Sequence, residues 1–319
     1  MDSDVIARHG LGTAPLGGLY TEVTDCDASD TLRAALDAGI RYFDTAPLYG
    51  HGLAELRLGS ELRSSGLARS AYQVSTKVGR VLVPGADPHT AFRGVPPVRP
   101  QFDFSADGVR RSIEESLDRL SLDHIDLALV HDPDQHEAEA LSSAFPTLMK
   151  LRDEGIIRAI GVGMNQVEML TRFAAKANDI GLEYALVAGR WTLLDRSAGA
   201  EHGLLDTCHT RGVAVIVGGV FNSGVLANPS DTATFDYSPV APHVLQTALQ
   251  MARVCESFGV DLTSAALQFP WRHEGVSSVI VGARSVGEVQ ANHRRTDTDA
   301  AVPEALWAAL DAVLRGDVR

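Results

Sequence analysis

Short apolar strands alternate with amphipathic helical segments along the whole chain, and this alternation restricts the possible folds more than any other feature. The eight strand segments read LGTAPLG, RYFDTA, YQVSTKV, IDLALVH, IRAIGVG, EYALVAG, VAVIVGG and VSSVIVG. Each is followed by a helical segment that must cross back over the sheet, which is typical of parallel strands covered by helices. Eight such pairs predict a closed (β/α)8 barrel, the TIM barrel, within the α/β class.

The chain shows no sign of a second domain. A doubly wound open sheet would need a phosphate fingerprint after its first strand, but GLGTAPLGG and GVGMNQ lack the GxGxxG spacing and no GxxxxGK[ST] occurs. We therefore predict one barrel domain over residues 1–319, ending with a helix near 303–314 that Pro303 opens. The longest irregular segment lies near 84–104, where we expect a flap over the barrel mouth, with a disordered insertion as the alternative.

Charge and cysteine content limit the possible partners. The chain has 28 basic and 41 acidic residues, a net charge of -13, and no cluster of Lys and Arg, which argues against nucleic acid and anionic membranes. The start MDSDVIARHG has no signal-peptide core, and no stretch approaches the length of a membrane span. Cys26, Cys208 and Cys255 have neither disulfide nor zinc spacing. We expect a cytoplasmic protein with a small-molecule partner.

Four polar residues fall at or just after the ends of three successive predicted strands. Asp44 ends RYFD, Tyr49 follows on the turn PLYGHG, Lys77 ends VSTK and His131 ends LALVH. In such barrels the active site lies at the carboxyl ends of the strands, so the four side chains are expected to meet. A lysine ammonium beside the phenol should lower the phenol pKa, and a neutral histidine can orient a hydroxyl or carbonyl. The set suits moving the proton of an alcohol while a hydride leaves.

These residues also have plain structural interpretations. A strand-end lysine is commonly a solvated charge, an aspartate before Thr-Ala can cap a turn, and a tyrosine or a lone histidine can anchor a loop. His131, Asp132, Asp134 and His136 in HDPDQHE fit no standard zinc spacing, and a turn explains them equally well, so no metal site is predicted. The shared position of four chemically matched groups favours the catalytic interpretation.

The sequence resembles the aldo-keto reductases over nearly its whole length. The segments that carry the resemblance are GLGTAPLGGLY, ALDAGIRYFDTAPLYGHGLAELRLGSEL, VSTKVGR, SIEESLDRLSLDHIDLALVHDPD, IRAIGVGMNQ and SSVIVGARSVGEVQAN. STKVGR and HDPD look most like the sugar 1-dehydrogenase branch, with its D-threo-aldose and L-fucose dehydrogenases, to which pyridoxal 4-dehydrogenase and plant L-galactose dehydrogenases are also similar. The resemblance implies an NAD(P)-dependent oxidoreductase whose catalytic tetrad is Asp44, Tyr49, Lys77 and His131, with Tyr49 as general acid or base.

The resemblance also implies an extended nicotinamide cofactor. Asn165 falls near the family's carboxamide-binding pair, although Gly163 and Met164 replace its usual start, and FNSGVLA matches a loop that closes over the pyrophosphate. Where many members have a stacking aromatic residue this chain has Gly218 or Gly219, with Phe221 as an alternative. The candidate cofactor residues are Asn165, Asn222, Ser223, Gly224, Leu226, Gly282, Arg284, Glu288 and Asn292.

The stretch after the eighth strand predicts the choice of cofactor. Strongly NADP-dependent members place basic residues there to hold the 2′-phosphate. Here the positions are Gly282, Ala283 and Glu288, with Arg284 as the only cation close by. A carboxylate repels a phosphate but accepts hydrogen bonds from a free ribose hydroxyl. We predict that NAD is preferred and that NADP remains possible because of Arg284.

A sugar pocket needs hydrogen-bond partners and an aromatic face. The substrate candidates at strand ends are Tyr20, Arg80, Asp132 and Trp191, with Arg190 beside them, although Trp191 could instead plug the barrel mouth. The expected reaction oxidises the anomeric hydroxyl of an aldose to a lactone. The alternatives are a pyridoxal 4-dehydrogenase, a general NADPH-dependent aldehyde or ketone reductase, and a nonenzymatic nucleotide-binding barrel. The sequence leaves the oligomeric state open.

Overall fold

The alternation of strands and helices produces the predicted barrel. The computed structural model describes residues 5–296 and 302–317. Within these residues eight parallel strands close into one barrel in chain order, with the first strand paired to the last. The barrel strands are β1 (His9–Gly12), β2 (Tyr42–Asp44), β3 (Gln73–Val78), β4 (Ile125–His131), β5 (Ile157–Met164), β6 (Tyr184–Ala188), β7 (Ala214–Gly218) and β8 (Val276–Gly282).

Helices between and after the strands complete the fold. The longer ones are α1 (Asp25–Asp37), α2 (Leu53–Ser64), α3 (Ala106–Leu120), α4 (Phe145–Asp153), α5 (Val167–Ala175), α6 (Leu204–Arg211), α7 (Pro242–Ser257), α8 (Leu262–Gln268), α9 (Val286–Thr296) and α10 (Glu304–Arg315). Helix α3 shows how the sequence sets the bounds. The Ser105 hydroxyl accepts a hydrogen bond from the Gly108 amide at 3.1 Å, and Ser121 ends the helix at a φ of 55°.

Shorter helical turns and two hairpins lie in the connections. The turns are Pro15–Gly17, Arg69–Ala71, Glu137–Glu139, Ala140–Ala144, Ala177–Ile180, Ser197–Gly199, Asn222–Gly224 and Phe269–Arg272. One antiparallel hairpin pairs Arg80–Pro84 with Val98–Phe102, and a smaller one pairs Thr234–Phe235 with Ser238–Pro239. The expectation of an irregular segment over 84–104 is therefore corrected, because the strand Val98–Phe102 falls inside it.

Side chains from the strands fill the barrel and seal its interior. The interior cluster contains Tyr42, Leu127, Leu129, Ile216 and Ile280. Tyr42 fits because its neighbour across the β1–β2 pairing is Gly10, where a Cβ atom would stand 2.4 Å from the Tyr42 ring. Burial of this apolar surface stabilises the barrel as a packed core with no pore. Functional groups must therefore lie at the strand ends.

A second hydrophobic cluster joins the C-terminal helices to the rest of the chain. Helix α10 starts after Pro303, which occupies the position before the first helical residue, and buries Leu306, Leu310 and Val313. These side chains pack with residues of α7 and α8. The helix expected near 303–314 is thus found within one residue of its predicted bounds. In residues 5–296 and 302–317, no helix combines the length and apolar character needed to cross a membrane.

Candidate active site

A buried ion pair forms the centre of the site. The Lys77 ammonium donates to Asp44 Oδ2 at 2.7 Å and to the Thr45 carbonyl at 2.8 Å, and both charged side chains are 2% exposed. The second carboxylate oxygen of Asp44 accepts the Ser75 hydroxyl at 2.7 Å. Ser75 also lies 2.9 Å from the Tyr42 hydroxyl inside the barrel. Two adjacent strand ends, β2 and β3, therefore fix the pair, with hydrogen bonds that compensate part of the cost of burying the charges.

Tyr49 is held beside this pair by a close approach of two backbone segments. A Cβ atom on Gly50, which has a φ of 62°, would stand 2.4 Å from the Gly17 carbonyl oxygen, and one on Gly17 would stand 2.7 Å from the carbonyl carbon of Tyr49. Glycine at both positions allows the turn that carries Tyr49 to pack directly on the loop after β1. The Lys77 ammonium lies 4.5 Å from the centroid of the Tyr49 ring.

The ionisation of Tyr49 differs from the sequence-based expectation. Burial raises the pKa of the phenol well above its ordinary value of 10.0, and the negative charge of Asp44 raises it further. The expected lowering of this pKa by Lys77 is not found, because the ammonium faces the ring and is paired with Asp44. Tyr49 therefore keeps its proton at neutral pH and is poised as a proton donor.

His131 stands at the end of β4 as a neutral group. Its ring and that of Tyr49 meet edge to face, with centroids 6.0 Å apart. Burial lowers the pKa of His131 well below 6.5, and the positive charges of Arg80 and Lys77 lower it further. The four residues predicted to meet do so, and the histidine can exchange hydrogen bonds at neutral pH without carrying charge.

Arg80 and Asp132 brace the His131 strand end. The Arg80 guanidinium donates to the His131 carbonyl at 3.2 Å and to Asp132 Oδ2 at 3.1 Å, while Asp132 Oδ2 lies 3.5 Å from His131 Nε2. Asp132 has a φ of 42°, a conformation that a non-glycine residue seldom adopts. Burial raises the pKa of the Asp132 carboxyl, against the opposing effect of Arg80.

A cavity of about 450 Å³ lies beside Asp44 and Tyr49. Asp44 and Tyr49 reach its wall at one end, and Arg284 and Glu288 lie at the other. A side chain at Gly282 would stand 2.9 Å from Pro15, so glycine keeps this wall open. The glycines along the cavity are Gly12, Gly189, Gly218, Gly219, Gly224 and Gly282. The shape suits an extended ligand with one end beside Tyr49.

Eight of the nine cofactor candidates line this cavity, namely Asn165, Asn222, Ser223, Gly224, Gly282, Arg284, Glu288 and Asn292. Leu226 does not. Its side chain is fully buried in the C-terminal hydrophobic cluster against α7 and α8, so its assignment as a cofactor residue is corrected. Gly218, Gly219 and Phe221 also line the cavity, and Phe221 packs on both large hydrophobic clusters as well.

The charged end of the cavity contains one residue that the sequence analysis missed. Arg284 donates through Nε to Glu288 Oε1 at 3.1 Å and through its backbone amide to Glu288 Oε2 at 3.0 Å. Arg295 also lines the cavity and lies 3.2 Å from Asp261. Arg284 is thus not the only cation close by. The spacing of Glu288, Asn292 and Arg295 places all three on one face of α9, a pattern that could have revealed Arg295.

The substrate candidates separate into three groups. Tyr20 lines the cavity, whereas Arg80 and Asp132 form the brace beside His131. Trp191 does neither: its indole N–H donates to the Pro270 carbonyl at 3.0 Å and its ring packs on Phe269 with centroids 4.9 Å apart. Its assignment as a substrate residue is therefore corrected in favour of the structural alternative.

A hairpin after β7 reaches over the cavity and brings in Tyr237, which the sequence analysis did not single out. Arg190 donates to both carboxylate oxygens of Asp236 at 2.9 and 2.8 Å, and also to the Asn165 carbonyl at 3.3 Å. Tyr237 follows at a φ of 62°, is 59% exposed and lines the cavity. The ion pair therefore ties the hairpin to the segment after β6, which in turn binds Asn165 after β5.

The Asn222 side chain places a buried oxygen without a hydrogen-bond donor, among the described residues, in the cavity wall. Asn222 is 2% exposed, and its Nδ2 donates to the Gly189 carbonyl at 3.1 Å, while its Oδ1 accepts no hydrogen bond from the described residues. A buried acceptor without a donor is unfavourable, so a ligand that donates a hydrogen bond would stabilise this arrangement.

The segment HDPDQHE does not assemble a metal site. His131 and Asp132 belong to the group around Tyr49, whereas the His136 ring packs between Phe102 and Phe104, with centroid distances of 5.0 Å to each. Across residues 5–296 and 302–317, no three side chains of His, Cys, Asp or Glu are grouped so that they could hold a metal ion.

Comparison with known proteins places this architecture in a family. The sequence pattern of the aldo/keto reductase family matches residues 9–315, which is nearly the whole chain. The protein is an aldo-keto reductase. The resemblance inferred from the motifs is thereby confirmed, and so is its character as an oxidoreductase enzyme.

This aldo-keto reductase is similar to two curated enzymes over most of its length. It is 39% identical over 315 residues to D-threo-aldose 1-dehydrogenase from a Pseudomonas species, covering 96% of this chain and 93% of that protein. It is 37% identical over 332 residues to pyridoxal 4-dehydrogenase from Microbacterium luteolum, with the same shares covered. The solved structure of glycerol dehydrogenase from Gluconobacter oxydans has a TM-score of 0.77 at 23% identity, covering 100% of this chain and 97% of that one, which shows the fold alone.

Aldo-keto reductases use nicotinamide cofactors, and the cavity of this aldo-keto reductase fits one. The glycine-lined wall leaves room for an extended dinucleotide, and the unpartnered Asn222 Oδ1 can accept a hydrogen bond from an amide or a hydroxyl. Asn165 and Asn222 would hold the polar groups near Tyr49, and residues of α9 would face the opposite end. When bound in its oxidised form, such a cofactor supplies a hydride acceptor and a positive charge that favours the Tyr49 phenolate.

Proposed function

We propose that the protein oxidises the anomeric hydroxyl of an aldose, of the L-fucose or D-threo-aldose type, to a lactone, with NAD as the hydride acceptor. The observation that carries the proposal is the grouping of Tyr49, the Asp44–Lys77 pair and neutral His131, with Tyr49 and Asp44 in the wall of a cavity of about 450 Å³. The 39% identity to D-threo-aldose 1-dehydrogenase supports the choice of substrate class.

Each residue has a defined part in this reaction. The phenolate form of Tyr49 takes the proton of the anomeric hydroxyl, the C1–H bond breaks with its electron pair passing as hydride to NAD, and the C1–O bond becomes the lactone carbonyl. Neutral His131 orients the reacting oxygen through a hydrogen bond. Lys77 adds positive charge beside the ring of Tyr49, and Asp44 holds Lys77 in place. The Arg80–Asp132 brace offers polar groups to the other sugar hydroxyls.

A substrate panel tests this proposal. Initial rates of NAD and NADP reduction are measured with L-fucose, D-arabinose, L-galactose, pyridoxal and a simple alcohol. We expect fast NAD-linked oxidation of at least one sugar. Turnover of pyridoxal alone would contradict the sugar assignment in favour of a pyridoxal 4-dehydrogenase, which the 37% identity to such an enzyme makes the second candidate. Aldehyde reduction with NADPH and no sugar oxidation would contradict both.

The charges at the far end of the cavity support a preference for NAD. Glu288 engages Arg284 through two hydrogen bonds, and Asp261 engages Arg295. Each cation near the site is thus partly neutralised by a carboxylate that would repel a 2′-phosphate. A free ribose hydroxyl can instead donate to Glu288.

Replacing Glu288 with glutamine should move the preference toward NADP. We expect kcat/KM with NADP to rise about tenfold, which corresponds to about 1.4 kcal/mol, because the carboxylate no longer repels the 2′-phosphate, while kcat/KM with NAD falls only slightly. The control is Glu256→Gln, which removes an exposed carboxylate on α7. An unchanged ratio of the two kcat/KM values in Glu288→Gln would contradict this role of Glu288.

We also propose that the protein works in the cytoplasm on small molecules. The support is that Cys26 is exposed as a free thiol and that Cys208 and Cys255 are buried without disulfide partners. Fractionation of the cells that produce it would test this location.

A further inference from the structure

The turn that carries Tyr49 also carries a histidine with no part in the proposed reaction. His51 lies two residues after Tyr49, has a φ of 53° and is 2% exposed. Such a conformation is uncommon for a residue with a side chain, and it persists where surrounding contacts hold it. Here those contacts come from the hairpin formed by Arg80–Pro84 and Val98–Phe102 and from the loop 85–97 at its tip.

Both ring nitrogens of His51 bind this hairpin. Nδ1 lies 2.7 Å from the Val98 carbonyl, and Nε2 lies 3.1 Å from the Thr90 hydroxyl. A carbonyl can only accept, so Nδ1 donates to Val98, while Nε2 shares a hydrogen bond with the Thr90 hydroxyl and lies 3.8 Å from Asp87 Oδ2 on the same loop. The Thr90 oxygen in turn accepts the backbone N–H of Phe92 at 3.2 Å. The histidine thus reaches Phe92 through one hydroxyl group.

The loop is also bound to the segment that follows β1. The Tyr20 amide donates to the Ala91 carbonyl at 3.0 Å, and the Arg93 amide donates to the Gly18 carbonyl at 2.9 Å. A Cβ atom on Gly18 would stand 2.3 Å from the Arg93 carbonyl oxygen, so a side chain there would prevent the contact. Because the Tyr49 turn packs on Gly17, the turn, the β1 loop and residues 90–93 form three layers in direct contact.

These three layers hold the Phe92 side chain next to the Tyr49 ring. Its ring lies 6.2 Å from that of Tyr49 and 6.4 Å from that of His51, centroid to centroid, and it is 8% exposed. Phe92 does not line the cavity. Phe92, Lys77 and His131 therefore surround the Tyr49 ring, each in contact with it.

We propose that His51 and Phe92 are positioning residues for Tyr49, and that the loop 85–97 is a fixed buttress of the active site. The proposal rests on the proposed function of Tyr49 as the proton-transfer group. His51 holds the loop in place through its hydrogen bonds, and the loop positions the Phe92 side chain. Phe92 in turn limits the orientation of the Tyr49 phenol. Displacement of a reacting group by about 1 Å costs about 100-fold in rate, so loss of this support should appear in kcat.

The test uses His51→Ala, Phe92→Ala, their combination and Thr90→Val, assayed with the best sugar of the panel and NAD. We expect kcat to fall about tenfold in each single alanine variant, and the double variant to be no slower than Phe92→Ala because both act through one contact. The dissociation constant of NADH, measured by fluorescence titration, should stay within twofold. Phe92→Tyr, which keeps the ring, should restore kcat. His89→Ala, an exposed histidine on the same loop, is the matched control.

Several outcomes would overturn the proposal. An unchanged kcat in folded His51→Ala and Phe92→Ala, judged by circular dichroism and melting temperature, would show that Tyr49 needs no buttress. An increase in KM at constant kcat would assign the loop to substrate binding instead. If either alanine variant fails to fold, Thr90→Val and Phe92→Leu decide between these results. Full activity of Tyr49→Phe would reject the proposed function itself, which is a separate result.

Discussion

Lys77→Met is expected to lower the free energy of unfolding by about 3–5 kcal/mol, because it leaves the Asp44 carboxylate buried without its cation. Both side chains are 2% exposed, and the ammonium makes two hydrogen bonds, to Asp44 and to the Thr45 carbonyl. Methionine fills most of the lysine volume, so a cavity contributes little to the change. The shift of the urea unfolding midpoint measures the effect, and loss of activity should accompany it.

The double variant Asp44→Asn/Lys77→Met separates the charge from the packing. It removes both charges, so the cost of an unpaired buried carboxylate disappears and the double variant should be more stable than Lys77→Met alone. The activity of the double variant should stay as low as that of Lys77→Met, because both variants lack Lys77. A double variant less stable than either single one would show that Asp44 and Lys77 stabilise the barrel through separate contacts.

The fold and the centre of the site follow from local sequence rules. Each strand is a short apolar run with a helix behind it, and a parallel barrel is the arrangement that buries all eight such units. The carboxyl ends of the strands then share one face, which is why Asp44, Lys77 and His131 could be grouped although far apart in sequence. Tyr49 could be added because Gly and Pro after the strand place it on a turn.

The other features of the site could not be predicted, because they depend on contacts between segments that are far apart in the sequence. Trp191 follows a barrel strand as a substrate residue would, yet it meets Pro270 and Phe269, 79 and 78 positions away. Leu226 lies in a segment that lines the cavity, but its side chain turns to α7 and α8. Tyr237 reaches the cavity on a hairpin that is held by the Arg190–Asp236 pair and by a hydrogen bond from the Tyr237 amide to the Ser223 hydroxyl. Nothing in the local pattern encodes these pairings.

The ionisation of Tyr49 could not be derived from residue types either. A lysine near a phenol can lower its pKa, but the direction of the shift depends on where the ammonium points and on how much water reaches the oxygen. In the structure the ammonium is paired with Asp44 and faces the ring, so burial dominates and raises the pKa. The geometry of the site, and not its residue composition, therefore sets the direction of the pKa shift of Tyr49.

Tyr49→Phe is expected to lower kcat/KM for sugar oxidation about 100- to 10,000-fold, because it removes the group that takes the substrate proton and leaves the ring in place. Cofactor affinity should be unchanged, as should the melting temperature within a few degrees. The control is Tyr72→Phe, the same chemical change at a buried tyrosine directly before β3, at the strand end opposite to Lys77. Equal activity of both variants would reject the role of Tyr49.

The pH dependence of the wild-type enzyme provides an independent test of the same role. Burial holds the pKa of Tyr49 above 10.0, so the phenolate that oxidation requires is scarce at neutral pH and grows as the pH rises. Sugar oxidation should therefore increase with pH through the neutral range, whereas aldehyde reduction, which needs the protonated phenol, should stay level over that range. His131 adds no step near its ordinary value of 6.5, because burial lowers its pKa well below that value. In Tyr49→Phe the rate of the residual sugar oxidation should no longer increase with pH. An increase that persists unchanged would show that another group than Tyr49 titrates.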